Sequence, residues 1–331
     1  TMFWYIKYPL IIILTLAFLG LAGLVWRSCI KDVSKLDMPG GEPQSEVVVT
    51  AKPGTSEPAT PDTVTSAYTV PVPQYQHDYS RIEKLLDSAG QQLQYGKLEA
   101  ARTLAHNAMK LPGLIEYDRY WLRAADIINE ANRRFMNDGA PSSEKKRYNV
   151  RHGDNLSKIA SNLLTSVSAL KRLNGLRGDN PLIQPGQVLS YIQGAWSIKV
   201  SKSEYILCLY NDGELYRYYR VGIGKEDRTP VGDFLISSRI RHPAWTPPGK
   251  NIPYGSPENV LGTHWLGLVP VEGTDPTLRG YGIHGTWEPD SIGTASSSGC
   301  VRLRNEDIEE LFDFVPEPGG VAPPVRVKIV E

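Results

Sequence analysis

The sequence has few cysteines, few histidines and no excess of either charge. Its 331 residues include three cysteines and six histidines, and 36 basic side chains are balanced by 36 acidic ones. An odd, sparse set of cysteines argues against a disulfide framework. Balanced charge argues against a nucleic-acid partner. Because no pair of Cys or His residues has the spacing of metal ligands, we expect no metal site, and we expect no cofactor.

An apolar stretch without charged side chains, Pro9 to Trp26, lies near the start of the sequence. At ~1.5 Å per residue it can just cross a hydrocarbon layer of about 30 Å. We therefore predict one N-terminal transmembrane (TM) helix within an anchor segment, residues 1–35. The protein would be a single-pass protein of the cell membrane, with its other domains outside the cytoplasm, in the periplasm or cell wall. A cleaved signal peptide is the alternative. The basic residues Arg27, Lys31 and Lys35 follow the apolar stretch and favour the opposite topology, in which the domains after it lie in the cytoplasm.

Two segments follow this stretch. Residues 36–76 are rich in Pro, Thr and Ser and poor in large hydrophobic residues, which predicts a disordered linker. Residues 77–140 have the apolar spacing of three helices, and Gly96 to Arg102 resembles the turn and second helix of a tetratricopeptide (TPR) unit. We interpret this TPR-like segment as a helical spacer; binding of a protein partner is the alternative.

The strongest candidate for chemistry is Cys300, sixteen residues after His284. A cysteine with a pKa of ~8.5 needs an imidazole or a comparable positive field to act as a nucleophile near neutral pH. A lone Cys and His at this spacing are more often structural residues. The surrounding sequence therefore decides between the two interpretations.

Residues 196–331 resemble the catalytic domain of the L,D-transpeptidase (YkuD) family in four blocks. The blocks are Ile198 to Leu215, Val221 to Phe234 with its Thr-Pro-x-Gly-x-Phe pattern, Tyr281 to Thr286, and Ser296 to Arg302, leading into a helix capped by Asn305. The resemblance implies a mostly-β domain that transfers acyl groups of peptidoglycan stem peptides. Cys300 would be the nucleophile and His284 its base, with backbone N–H groups around Ser298, Gly299 and Cys300 stabilising the oxyanion.

The same resemblance implies a substrate-binding set beside the catalytic residues. It comprises Arg302, Gly285, Thr286, Ser297 and Tyr281. Arg302 would either bind a carboxylate of the stem peptide or pair with Glu306 or Asp307 to fix the loop. Family members usually have Ser-His-Gly-Cys, whereas this chain has Ser298 in place of the second histidine. We expect a packing or surface role for His264, and Cys208 should be a small buried side chain.

Upstream, residues 146–193 resemble a LysM domain, a small βααβ fold. Tyr148 to Ala160 predicts a strand, a turn and a helix capped by Asp154, followed by a second helix and a return strand. The resemblance implies that two loops form a shallow groove for glycans that contain N-acetylglucosamine. Those loops are Gly153, Asp154 and Asn155, and Leu182, Ile183 and Gln184.

Two functions from different classes remain open. The first is a membrane-anchored L,D-transpeptidase, held on the wall by LysM, whose partners are peptidoglycan stem peptides and glycan strands. Water in place of an acceptor amine would make it an L,D-carboxypeptidase. The second is a non-catalytic scaffold that binds peptidoglycan. Intact His284, Gly299, Cys300 and Arg302 favour the first.

Overall fold

The computed structural model describes residues 79–137, 140–271 and 273–331. The predicted anchor, residues 1–35, and the predicted linker, residues 36–76, lie outside these ranges. Within them, no helix combines the length and the apolar character needed to cross a membrane.

Three helices occupy the segment for which three were predicted. They are α1 (Ser80–Gln94), α2 (Leu98–Met109) and α3 (Arg119–Asn137). Asp118 starts α3, because its Oδ1 accepts the N–H groups of Tyr120 at 2.9 Å and Trp121 at 2.7 Å. The helices bury their apolar faces against one another and against the sheet described below. The TPR-like character of this segment stays a prediction.

The next segment has the predicted βααβ order. Its elements are β1 (Lys145–Asn149), α4 (Leu156–Asn162), α5 (Val167–Leu173) and β2 (Val188–Ile192), with β1 antiparallel to β2. The predicted helix cap was wrong by one residue. Asn155 caps α4 by accepting the N–H of Lys158 at 2.8 Å, whereas Asp154 accepts the N–H of Arg151 and the hydroxyl of Tyr148 within the turn.

A mostly-β domain completes the fold. Its strands are β3 (Trp196–Ser201), β4 (Ile206–Asn211), β5 (Glu214–Arg220), β6 (Ile223–Gly224), β7 (Gly232–Arg241), β8 (His264–Pro270), β9 (Gly282–His284), β10 (Ala295–Ser297), β11 (Val301–Arg302) and β12 (Arg326–Val330). Eight of them form a sheet in the order β11-β9-β8-β7-β12-β3-β4-β5, and β6 pairs with β10 beside it. Helix α6 (Asn305–Phe314) packs against β8 and β9. The prediction that Asn305 caps α6 was wrong, because Asn305 Oδ1 instead accepts the N–H of Thr263 at 3.1 Å.

Helices α1 to α3 cover the edge of this sheet that β5 forms. The side chain of Asn129 accepts the N–H of Tyr218 at 2.9 Å and donates to its carbonyl at 3.0 Å. Asn132 donates to the carbonyl of Tyr216 at 2.7 Å. These side chains satisfy backbone groups that a free edge strand would leave open. The helices are therefore part of the same packed body as the sheet.

The βααβ segment also packs against the mostly-β domain. Arg172 Nε lies 2.6 Å from Asp313 Oδ2, and Ser166 Oγ donates to the carbonyl of Asp313. Leu173 and Ile192 belong to the same apolar cluster as the core of the large sheet. Side chains of both segments thus share one interior.

Candidate active site

Two short parallel strands bring the predicted nucleophile and base to one place. In the register of β9 with β11, His284 lies opposite Arg302 and Ile283 lies opposite Val301. Cys300 directly precedes β11 and is partly exposed, whereas His284 ends β9 and is 4% exposed. The pairing places the two blocks that carry these residues side by side.

The carbonyl of Gly285 orients the imidazole of His284. Nδ1 of the ring lies 2.6 Å from this oxygen. Because a carbonyl only accepts hydrogen bonds, Nδ1 carries the proton, and in the neutral ring the lone pair lies on Nε2. The indole of Trp265, which lies opposite His284 in the pairing of β8 with β9, stacks on the imidazole, with ring centroids 5.8 Å apart and an interplanar angle of 22°. The ring is thus fixed in the tautomer that a general base requires.

Burial favours the neutral forms of both groups. Burial and, to a smaller extent, the charge of Arg302 lower the pKa of His284 to about 4, although backbone hydrogen bonds to Gly285 and Leu261 oppose the shift. Burial also raises the pKa of the Cys300 thiol, which Arg302 partly offsets. Both shifts favour a thiol and a neutral imidazole over a thiolate and an imidazolium.

Internal hydrogen bonds hold the nucleophile loop, Ser297 to Cys300, in shape. The hydroxyl of Ser297, 3% exposed, accepts the N–H of Gly299 at 3.1 Å and donates to the carbonyl of Cys300 at 2.7 Å. From a different block, the buried hydroxyl of Thr229 donates to the carbonyl of Gly299 at 2.9 Å. It also accepts the N–H of Gly224 at 2.7 Å. Three backbone groups of the loop, the N–H of Gly299 and the carbonyls of Gly299 and Cys300, thereby have hydrogen-bond partners.

Only glycine fits the backbone conformation and the space at position 299. Its φ is +141°, and an added Cβ would lie 2.9 Å from Cε1 of Tyr281 and 3.1 Å from the carbonyl oxygen of Arg228. L side chains rarely adopt this backbone conformation. The close approach of the loop to Tyr281 thus depends on glycine.

The L,D-transpeptidase catalytic-domain profile (YkuD) matches residues 195–328, which contain all of these groups. YkuD of Bacillus subtilis, a protein named provisionally as an L,D-transpeptidase, is 34% identical over 175 residues, or 51% of this chain and 93% of that protein. The chain belongs to the L,D-transpeptidase (YkuD) family.

A second L,D-transpeptidase relative has a similar degree of identity. YqjB of Bacillus subtilis, also named provisionally, is 36% identical over 140 residues, 42% of this chain and 71% of that protein. Among solved structures, an L,D-transpeptidase from Mycobacterium smegmatis aligns with a TM-score of 0.32 and 19% identity. That alignment covers 44% of this chain and 64% of the other, so the family assignment depends on the sequence relatives alone.

The LysM profile matches residues 148–190 of this L,D-transpeptidase family member. The two loops predicted to form its groove border a cavity of about 470 Å³. Its lining includes Asp154, Asn155, Leu182 and Ile183, with Leu182 93% exposed. Gly153 lies in the turn at φ +79°, and the N–H of Gln184 donates to Gln187 Oε1 at 3.0 Å; neither residue lines the cavity.

The structure pairs Arg302 with a residue that the sequence did not suggest. Its Nη1 lies 3.2 Å from Oε2 of Glu288, not beside Glu306 or Asp307, so the predicted loop-fixing partners were wrong. Glu288 is 73% exposed, and an ion pair this open to water contributes little stability. Arg302 lies beside His284 in the strand register and stays within the site.

The other substrate-contact candidates have different surroundings. Tyr281 is partly exposed and Ser298 is exposed, so both can meet a ligand. Gly285 and Thr286 are buried; Gly285 holds His284, and Thr286 Oγ1 accepts the N–H of Glu288 at 3.1 Å. The Ser297 hydroxyl is occupied inside the nucleophile loop, which does not support a direct substrate contact.

His264 and Cys208 lie away from the site. The ring of His264 packs edge-on against Phe312 with centroids 4.5 Å apart, which agrees with the predicted packing role. Its neighbour Trp265 pairs with His284, so alternation along β8 directs His264 to the opposite face. Cys208 is fully buried in β4, as expected. In the described ranges, no cluster of three or more His, Cys, Asp or Glu residues could hold a metal ion.

Two residues of the site, Trp265 and Thr229, were not among the sequence candidates. Trp265 follows His264 in a strand, and only the pairing of β8 with β9 shows that it lies beside His284. Thr229 lies in the Thr-Pro-x-Gly-x-Phe block that identified the family. The block therefore pointed to Thr229, but nothing in the sequence indicated its hydrogen bond to Gly299, seventy positions later.

We predict that Thr229→Val lowers turnover of a soluble muropeptide by about 10- to 100-fold, chiefly in kcat, because the loop carrying Cys300 loses its anchor. Valine keeps the shape but neither donates to the Gly299 carbonyl nor accepts from Gly224. Thr229→Ser keeps both hydrogen bonds and should retain most activity. Equal kcat values for Val and Ser would contradict a positioning role, and a thermal melt of each variant checks folding.

Proposed function

We propose that the chain is a membrane-anchored L,D-transpeptidase that acylates Cys300 with a peptidoglycan stem tetrapeptide and transfers it to an amine. The observation that carries this proposal is the orientation of His284. Its Nδ1 proton is committed to the Gly285 carbonyl at 2.6 Å, so Nε2 is the basic atom, on the strand beside Cys300. A purely structural histidine has no need of this arrangement next to a partly exposed thiol.

The chemistry then runs through one thioester. Cys300 Sγ gives its proton to His284 Nε2 as it attacks the amide carbonyl after the third residue of the stem. The tetrahedral intermediate collapses, the C–N bond breaks, and Nε2 returns the proton to the departing terminal D-amino acid. An acceptor amine next attacks the thioester, losing a proton to Nε2, and the new amide releases the thiol.

The surroundings of the nucleophile limit which groups stabilise the oxyanion. The N–H of Gly299 already donates to Ser297 Oγ at 3.1 Å. We therefore assign the donor role to the N–H groups of Ser298 and Cys300. Arg302 keeps a positive charge near both reacting groups and is the proposed partner for a substrate carboxylate, which would displace the exposed Glu288.

The low pKa of His284 predicts an unusual acid limit. The base works when neutral, so activity is lost as the pH falls through its pKa of about 4. At pH 5.5 we expect kcat/KM close to its value at pH 7.5, whereas a histidine with the ordinary pKa of ~6.5 would lose about tenfold. Initial rates on one soluble muropeptide at the two values measure this. A tenfold loss would contradict the assignment of a buried, neutral His284.

The remaining parts of the proposal concern location. The LysM groove would hold glycan strands, and Pro9 to Trp26 would anchor the protein so that the enzyme lies outside the cytoplasm, where cross-linked peptidoglycan exists. Alkaline phosphatase fused behind Glu331 reports this topology. Activity in the membrane fraction is the expected result; a soluble, shortened product would favour a cleaved signal peptide instead.

The deciding experiment supplies purified protein with defined tetrapeptide muropeptides and identifies the products by mass. Cross-linked dimers, or exchange of the terminal D-amino acid, are expected from acyl transfer. Tripeptide alone would assign the protein as an L,D-carboxypeptidase, with water resolving the same thioester. No product from intact, folded protein would favour the non-catalytic scaffold.

A further inference from the structure

A second cavity lies where the βααβ segment meets the mostly-β domain. It has a volume of about 300 Å³, and both segments contribute to its wall. Its lining comprises Val167, Ser168, Lys171, Asp179, Arg239, Arg241, Phe312 and Glu317. Val167 and Asp179 also line the LysM groove, so the two cavities adjoin. We call this second cavity the cation pocket.

Arg239 is the most buried cation of the pocket, with 3% of its side chain exposed. It pairs with Glu317 through Nη1, and Nη2 donates to the carbonyl of Phe312 at 2.7 Å. Its guanidinium also lies over the Phe312 ring at 4.0 Å. The Nε–H, however, is buried and has no hydrogen-bond partner among the described residues. An unpaired buried donor on a cation is costly and marks a position suited to an acceptor.

The charge of Arg239 is not fully compensated. Burial lowers its pKa, and the neighbouring carboxylates of Glu317 and Asp313 only partly oppose that effect. Glu317 is 72% exposed, which weakens its pairing with Arg239. An added anion beside Arg239 would therefore be favourable.

The other two cations of the pocket are weakly engaged. Lys171 makes no ion pair with any residue that the structure describes. Arg241, 46% exposed, lies 3.9 Å from Asp313 Oδ1, whose second oxygen already binds Arg172 at 2.6 Å. Against these three cations the wall presents two carboxylates, Asp179 and Glu317. The pocket thus has a surplus of positive charge beside the groove proposed to hold glycan.

We propose that the cation pocket binds a carboxylate of the stem peptide on a glycan strand held in the LysM groove. A carboxylate accepts from guanidinium and ammonium groups together, the chemistry that Lys171, Arg239 and Arg241 offer. Because both segments build the pocket, binding there would select strands that still carry peptides and would hold them next to the catalytic domain. This inference rests on the glycan-binding part of the proposed function.

The test compares glycan strands that bear stem peptides with strands of the same length stripped of them by an amidase. Binding to the full chain is measured by calorimetry in a Cys300→Ala background, so that no acylation contributes. Peptide-bearing strands should bind about tenfold more tightly than stripped ones. Lys171→Gln and Arg241→Gln should each remove most of that preference and leave the affinity for stripped strands unchanged.

Lys146→Gln is the matched control, since Lys146 is a LysM lysine that bonds Gln193 at 2.8 Å and lines neither cavity. It should leave the preference intact. Equal affinity of the parent protein for both kinds of strand would overturn the inference, and so would a preference that survives in Lys171→Gln and Arg241→Gln. Turnover of small muropeptides by Arg241→Gln with Cys300 intact reports separately on the proposed function. Absence of muropeptide turnover by the wild type would refute the proposed enzyme activity, not the binding role of the pocket.

Discussion

Cys300→Ala is expected to abolish acyl transfer, lowering turnover of a defined muropeptide by at least about 10³-fold. The reason is chemical: the proposed thioester needs this sulfur, and no other described thiol can replace it. Cys208 is fully buried, and burial raises the pKa of its thiol to about 12. A carbapenem, which the family typically accepts as an acylating mimic, should form one adduct with wild type and none with the variant. Intact mass spectrometry measures both.

Cys208→Ala is the matched control, because it removes a thiol of the same chain outside the site. It should still form the adduct and turn over muropeptide, with a modest loss of thermal stability from the cavity in β4. An adduct that persists in Cys300→Ala would refute Cys300 as the acylated residue. Loss of acylation in both variants would point to a general effect on folding.

The candidate residues of the site were easier to propose from the sequence than their contacts. Cys300, His284 and Gly299 were proposed because their blocks have the order and spacing of the family, and the strand pairing brings those blocks together. The group that orients His284 was not predictable, since a backbone carbonyl leaves no trace in residue type. Pairing of Arg302 with Glu288 was missed for a related reason: it depends on how the loop after β9 folds back.

Local rules also failed where two polar residues competed for one role. Both Asp154 and Asn155 are good helix caps, and sequence alone does not rank them. In the structure, Asp154 is drawn into the turn by the Arg151 N–H and the Tyr148 hydroxyl, which leaves the cap to Asn155. Asn305 likewise does not cap its helix, because its Oδ1 accepts the N–H of Thr263, a residue distant in sequence. Tertiary hydrogen bonds decided both cases.

The N-terminal helices show the largest gap between sequence and structure. Their periodicity predicted three helices, but interpreting them as a spacer missed what they cover. Ile206, Cys208 and Leu215 of the large sheet lie in the same apolar cluster as the buried faces of these helices. An amphipathic pattern shows that a face is buried without showing against what. The edge strand β5 is the missing partner.

Deleting residues 79–137 should therefore prevent stable folding of the mostly-β domain. The deletion exposes the apolar cluster around Cys208 and reopens the hydrogen-bonding groups of β5, a template for aggregation. We expect an insoluble product, or one without a cooperative thermal transition. A true spacer predicts the opposite: a soluble domain that keeps the melting temperature and the turnover of small muropeptides.

Point variants on α3 measure how much the helices stabilise the edge of the sheet at β5. Asn132 is 1% exposed, donates to the Tyr216 carbonyl at 2.7 Å and accepts from Arg102 Nη1 at 3.1 Å. Asn132→Ala leaves the buried carbonyl of Tyr216 unpaired, whereas Arg102 Nη1 keeps Glu144 Oε2 at 2.8 Å. The loss should lower the free energy of unfolding by about 1–3 kcal/mol. Arg123→Ala is the control on the same helix, because its exposed ion pair with Asp87 should contribute less than about 1 kcal/mol. Equal, small effects of the two variants in denaturant titrations would show that the helices do not hold the sheet edge. A selective loss in Asn132→Ala is the expected result, since its side chain donates to the carbonyl of Tyr216 at the edge of β5.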